Sequence, residues 1–198
     1  MTHDPRLTTH DFSVYLLAAG NGKRAGGPKA WLSHEGKPLL EKHLEFLLKL
    51  FPPNQIAISI QELWLSRCNK IHPQILWIPI SPEATPLGAL IHLLKVAPSN
   101  LWGFLYHVDM PLWEPGLFKT LIASIPHGER IECEAIAPSM DGKKGHPILL
   151  SPTLYSLISN LDPATDRLDH WLRTRKVYTR EVSWECIHEN WNSSTTFA

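Results

Sequence analysis

Residues 13–18, SVYLLA, carry no charge and no polar–apolar alternation. They run directly into a loop, GNGKRAGGPK, with four glycines and three basic residues. A strand without a polar face has to be covered on both sides, which requires helices above and below a mostly parallel sheet. The rest of the chain fits that demand. Leu40, Leu44, Leu47, Leu48 and Phe51 recur at helical spacing over 38–51, between a leading proline and Pro52-Pro53. Apolar strands follow at 55–60 and 75–80, with a short helix near 62–69 between them. Thr85-Pro86 is a cap followed by proline at the first helical position, and it predicts a helix over 87–96. Residues 101–107 form a further strand and 115–125 a helix. The stretch 131–182 is less regular, with strands at 133–138, 146–150 and 176–182 and helices from 151 to 161 and near 167–173. The pattern predicts an α/β fold, a three-layer αβα arrangement around a twisted, mostly parallel sheet with a small antiparallel addition.

The chain has 198 residues, 43% hydrophobic and 19% charged, enough for one core; a single domain over 1–198 is expected, with 1–12 a flexible leading segment. Lys plus Arg equals Asp plus Glu, 19 each, so no basic surface for nucleic acid is expected and any cationic site must be local. Cys68, Cys133 and Cys186 are three, far apart and outside any C-x-x-C pair. That excludes a disulfide framework and a zinc knuckle and fits a reducing compartment. The opening MTHDPRLTTHDF lacks an apolar core of a signal peptide, and no run approaches the ~18 apolar residues of a membrane span. A cytoplasmic protein is expected. The eleven histidines are scattered; His43 and His107 have no neighbours at metal-ligand spacing and are assigned structural or surface roles.

The glycine-rich loop fails two familiar tests. A P-loop requires Ser or Thr after Gly-Lys, and Gly22-Lys23 is followed by Arg24. A Rossmann fingerprint requires G-x-G-x-x-G running into a helix. Here Gly20, Gly22 and Gly26 are one residue too widely spaced, and the second strand closes on Gln61, not on an acid. What remains is a longer loop that wraps a ligand. Its glycines let backbone N–H groups approach phosphate oxygens, Arg24 offers a planar fork, and Lys29 offers a point charge. An ordinary solvated loop would also hold glycines and stray charges. The loop's place after the first strand, at the end where open α/β sheets bind ligands, favours the phosphate site. Asp109 ends another apolar strand in LYHVDMP; there a carboxylate either caps the turn or, with phosphate oxygens and water, holds Mg²⁺.

The stretch LLAAGNGKRAGGPK resembles the L-A-[AG]-G-x-[GS]-x-R…G-x-x-K signature of nucleotidyltransferases with a glycosyltransferase-A-like fold, most closely the molybdenum cofactor guanylyltransferases and cytidylyltransferases. Gly20, Arg24, Gly26 and Lys29 match, and Ala25 replaces the usual methionine. The resemblance implies a nucleotide site at Leu17, Ala18, Ala19, Gly20, Asn21, Gly22, Lys23, Arg24 and Lys29. TPLGAL, similar to the family's G-P-L-A-G, extends that site to Pro86, Leu87 and Gly88, with Thr85 in place of glycine. The resemblance makes Asp109 the Mg²⁺ ligand and Arg24, Lys29 and Asp109 the catalytic set. It puts His146, in GHPILLS, and Asn190 and Asn192, in HENWNSS, on the acceptor side; Trp191 and Ser194 depart from the pattern there. The activity implied is transfer of NMP from an NTP to the phosphate of molybdopterin with release of pyrophosphate. LAAG leans toward CTP and TPLGAL toward GTP, and GTP is placed ahead. A sugar phosphate or other phosphorylated acceptor, and a non-catalytic nucleotide-binding protein of the same fold, are the alternatives.

Overall fold

The computed structural model describes residues 12–23 and 26–191. Its frame is one sheet in the order β10-β7-β9-β6-β1-β4-β5, with a short β8 hairpinned onto β7. The strands are β1 (Phe12–Leu17), β4 (Ile56–Gln61), β5 (Leu76–Ile80), β6 (Trp102–His107), β7 (Ala135–Met140), β8 (Lys143–Lys144), β9 (Ile148–Leu150) and β10 (Val177–Glu181). β5, β4, β1 and β6 are all parallel; β9 runs antiparallel to both neighbours, and β10 is parallel to β7. A separate two-residue hairpin, β2 (Ser33–His34) with β3 (Lys37–Pro38), leads into the first helix.

The absence of a polar face on β1 has the consequence foreseen. Phe12, Val14, Leu16 and Ala18 point to one face, where α1 (Leu39–Leu47) and α4 (Pro115–Ile122) pack with α2 (Leu65–Ile71) and α5 (Ile125–Arg130). Tyr15, Leu17 and Ala19 point to the other, covered by α3 (Pro86–Val96), α6 (Pro152–Ser159) and α7 (Leu168–Leu172). The result is three layers, αβα. On the first face Phe104 lies against Phe118, Phe51 and Phe12, with ring centroids 4.8, 5.6 and 6.1 Å away. Truncating it to alanine would cost about 3–5 kcal/mol.

Three local features differ from expectation. The helix foreseen over 115–125 breaks at Ala123-Ser124 and resumes as α5, because Pro126 can start a helix but cannot donate within one. The β2–β3 and β7–β8 hairpins turn at Glu35-Gly36 and Asp141-Gly142, all four with positive φ. The small antiparallel addition lies within the sheet and not at its end, with β9 between β6 and β7. Trp31 and Trp64 pack with ring centroids 4.9 Å apart and planes tilted by 50°, and Trp77 donates to His72 O. Among the described residues no helix is long and apolar enough to cross a membrane.

Candidate active site

Three strand ends meet in register at the C-terminal end of the parallel half: Leu17 and His107, the last residues of β1 and β6, are side by side with Ser59, just before β4 ends at Gln61. Chains leaving these tips enclose a cleft of about 280 Å³. Its lining includes Gly20, Gly22, Lys23 and Lys29 from the first loop, Thr85, Pro86 and Ala89 from the start of α3, and His107 and Asp109 from the end of β6.

The first loop is shaped by backbone contacts. Ala18 N–H donates to both the carbonyl and the hydroxyl of Ser59, at 3.1 Å each. The amide of Gln61, buried at the tip of β4, donates to Ala19 O at 3.0 Å and reaches Asn21 Oδ1 at 3.4 Å. Asn21 in turn donates to Glu83 Oε1 at 3.0 Å. The loop then folds back, with Gly27 N–H donating to Gly22 O at 3.3 Å. Gly22 has φ +58°, and a Cβ there would lie 1.8 Å from Gly27 O, so only glycine fits. Arg24, the other expected cation of this loop, lies outside the described residues, as does Asn192.

Lys29 begins a single 3-10 turn, Lys29–Trp31, and its Nζ forms an ion pair with Asp109 Oδ2. The Asp109 carboxyl side chain is only 8% exposed. Its corner is held from three directions. Val108 N–H donates to Leu17 O at 3.0 Å, Nε2 of His43 bonds Val108 O at 2.8 Å, and Trp191 N–H donates to Asp109 O at 2.8 Å. That last bond brings the chain of Asn190 to the site, with the Asn190 side chain exposed.

The TPLGAL segment divides. Thr85 caps α3, its Oγ1 accepting Gly88 N–H at 3.0 Å and its carbonyl accepting Ala89 N–H at 2.9 Å, and the positive end of the helix dipole opens on the cleft at Pro86 and Ala89. Leu87 faces the core at 2% exposure, and Gly88 packs against Pro163. Geometry thus gives the lining to Thr85, Pro86 and Ala89, while Leu87 and Gly88 set the helix in place.

His146 lies on the C-terminal side. Its N–H donates to Ile187 O at 2.9 Å, and Gly145 beside it is pressed against Ile187, where a Cβ would lie 2.6 Å from the carbonyl. Its Nδ1 is buried with no hydrogen-bond partner among the described residues. Burial first, then the nearby His107 and His188, pull its pKa down to about 4 against the opposing field of Asp109, so the ring is neutral near pH 7. His107, also depressed by burial, lines the cleft, contrary to the structural or surface role assigned from spacing.

Sequence reasoning missed Ser59, Gln61, Glu83 and His107. Gln61 and His107 had a usable signal, since each ends an apolar strand at the ligand-binding end of the sheet. His43 has no such signal, being one polar residue among the leucines of α1. Among the described residues no group of three or more His, Cys, Asp or Glu is arranged to hold a metal, and Asp109 is a lone carboxylate.

The family model of the MobA-like NTP transferase domain matches residues 14–180. A molybdenum cofactor guanylyltransferase from Xanthomonas euvesicatoria is 29% identical over 112 residues, 57% of this chain and 54% of the relative. The chain spans about half the length of the curated relatives it matches. Among solved structures, Rv0371c from Mycobacterium tuberculosis H37Rv has a TM-score of 0.73 at 18% identity, covering 95% of this chain and 96% of that one. The complex of Rv0371c with manganese has a TM-score of 0.64 at 18% identity, covering 87% and 88%. At these identities the structural likeness is one of fold.

Proposed function

The chain belongs to the MobA-like NTP transferase family, and on that premise we propose that it transfers NMP from an NTP, GTP ahead of CTP, to the terminal phosphate of molybdopterin, releasing pyrophosphate. The observation that carries this reading is the meeting of Lys29 and Asp109, 80 residues apart, in a cleft edged by glycine backbone and a helix N-terminus. Molybdopterin as acceptor is supported by the Xanthomonas relative, a molybdenum cofactor guanylyltransferase that this chain matches over about half its length.

The acceptor is already an anion, so its phosphate oxygen attacks the α-phosphorus without a general base. The bond from that phosphorus to the β-phosphate bridging oxygen breaks, and its electrons leave with pyrophosphate. The protein's task is to hold two anions together and offset their repulsion. Lys29 neutralises phosphate charge, the Gly20–Gly22 backbone receives phosphate oxygens, the positive end of the α3 dipole attracts them, and Arg24 adds a second cation from the loop. A carboxylate alone with one lysine fits a cation that brings most of its oxygen ligands from phosphates and water, which is the habit of Mg²⁺. Asp109 would hold it, and once bound it would supply charge neutralisation at the phosphates; a relative of the same fold was solved with manganese. Acceptor binding is assigned to His146, Asn190 and Asn192 in this reading. Cys68, Cys133 and Cys186 are unpaired, which is in keeping with a cytoplasmic enzyme.

The test is pyrophosphate release with Mg²⁺ and each NTP in turn, with and without molybdopterin. Release requiring GTP and molybdopterin is the expected result. Release only with a sugar phosphate would move the acceptor, and NTP binding without release under any acceptor would overturn the enzymatic reading.

A further inference from the structure

Val108 and Asp109 form the corner where β6 leaves the sheet, and both backbone polar groups of Val108 are taken. Its N–H extends the β1–β6 ladder to Leu17 O, while its carbonyl accepts from Nε2 of His43 at 2.8 Å. His43 comes from the middle of α1 and is fully buried. Its other nitrogen, Nδ1, faces Nε1 of Trp113 at 3.2 Å. An indole N–H can only donate, so Nδ1 is the acceptor and the ring proton sits on Nε2, aimed at the Val108 carbonyl. Trp113 therefore sets the tautomer, and the imidazole is also bracketed by ring contacts to Trp113 at 5.3 Å and Tyr106 at 5.5 Å. An imidazole buried among Leu39, Leu40, Leu44 and Leu47 loses its hydration, and these two hydrogen bonds are what offset that loss.

We infer that His43 is a positioning residue: oriented by Trp113, it clamps the Val108 carbonyl and so fixes the direction in which the next residue, Asp109, offers its carboxylate to the cleft. The inference rests on the nucleotidyl-transfer reading above. His43 touches neither substrate nor reacting atoms; it acts through one peptide group. A side chain that merely filled the core would be replaceable by leucine without effect on the carboxylate. A clamp would not be, but it would be partly restored by an amide able to donate to the same carbonyl.

The test compares His43→Leu, His43→Gln and Trp113→Phe in the full chain. Two quantities are read beside thermal melting: Mn²⁺ affinity with a non-hydrolysable GTP analogue present, by calorimetry, and kcat against KM for pyrophosphate release. His43→Leu should lose about tenfold in Mn²⁺ affinity and fall in kcat more than it changes the nucleotide KM. His43→Gln should recover most of the Mn²⁺ affinity, and Trp113→Phe should fall between wild type and His43→Leu. A folded His43→Leu protein with wild-type Mn²⁺ affinity overturns the inference, and so does His43→Gln no better than leucine. If His43→Leu does not fold, Trp113→Phe decides, and unchanged Mn²⁺ affinity there overturns it equally. A wild-type protein that neither binds the analogue with Mn²⁺ nor releases pyrophosphate is a different failure: it removes the functional reading, and the positioning role goes with it.

Discussion

The sheet has two halves that meet at β6, and they build their shares of the site by different means. The parallel half, β5, β4, β1 and β6, brings strand tips into register and lets the loops between strands and helices wrap a cleft. The other half, with β9 reversed between β6 and β7, has no such row of tips. It reaches the site through straps instead: Gly145-His146 against Ile187, and Trp191 N–H on Asp109 O. In the proposed reaction the first half holds the nucleotide and the second the acceptor. A shared cleft thus divides into a part set by regular topology and a part set by a few irregular contacts, and substitutions on the two sides are expected to separate nucleotide from acceptor.

The largest effect is expected where the halves meet. Asp109→Asn keeps the shape of the side chain and removes its charge; pyrophosphate release should fall by about a thousandfold with the melting temperature little changed. Near-normal turnover would remove Asp109 from the site. Gly22→Ala should act on the nucleotide side alone. Its Cβ cannot coexist with Gly27 O at 1.8 Å, so the loop must open, and the nucleotide KM should rise by about 10- to 100-fold with acceptor KM unchanged. Gly145→Ala is its counterpart: a methyl 2.6 Å from Ile187 O displaces the strap, and acceptor KM should rise about tenfold while isothermal titration finds nucleotide affinity intact. A rise in both constants for either variant would dissolve the division into halves.

The smallest effect concerns stability, not rate. Burial pulls His43 down to about 4, below the ~6.5 of an unfolded histidine. The unfolded chain therefore binds the extra proton first, and stability present above pH ~6.5 is lost as pH falls toward 4. The span is worth about 3 kcal/mol. Urea midpoints across this range should slope in wild type and slope less in His43→Leu, the remainder coming from His146 and His107, which burial also depresses; equal slopes would remove His43 from the acid sensitivity.

The same division explains what could be read before any coordinates. Where a strand is apolar on both faces and followed by glycine, as at Leu16 to Gly20, local chemistry alone dictates strand, turn and ligand-facing loop. Thr85-Pro86 likewise states its cap outright, Lys29 follows from the glycine-rich loop after the first strand, and Asp109 from the end of the 101–107 strand. The other half resists this kind of reading. Ile148–Leu150 is too short to announce its direction, and whether it lies inside or at the edge of the sheet depends on partners far away in the chain. Leu87 belongs to a motif expected at the ligand, yet its apolar side chain follows the helix stripe into the core. His43 offered only a polar residue in a leucine-rich helix; its meaning lies in a carbonyl 65 positions later.

That separation has a kinetic side. The ties that hold Asp109 span 65 residues to His43's carbonyl partner and 80 to Lys29. Contacts closing such long loops form late, after the local helices and together with the equally long-range pairing of β1 with β6. During refolding, the ability to capture an NTP will therefore return behind the far-ultraviolet signal, making ligand capture a clock for the final step of assembly.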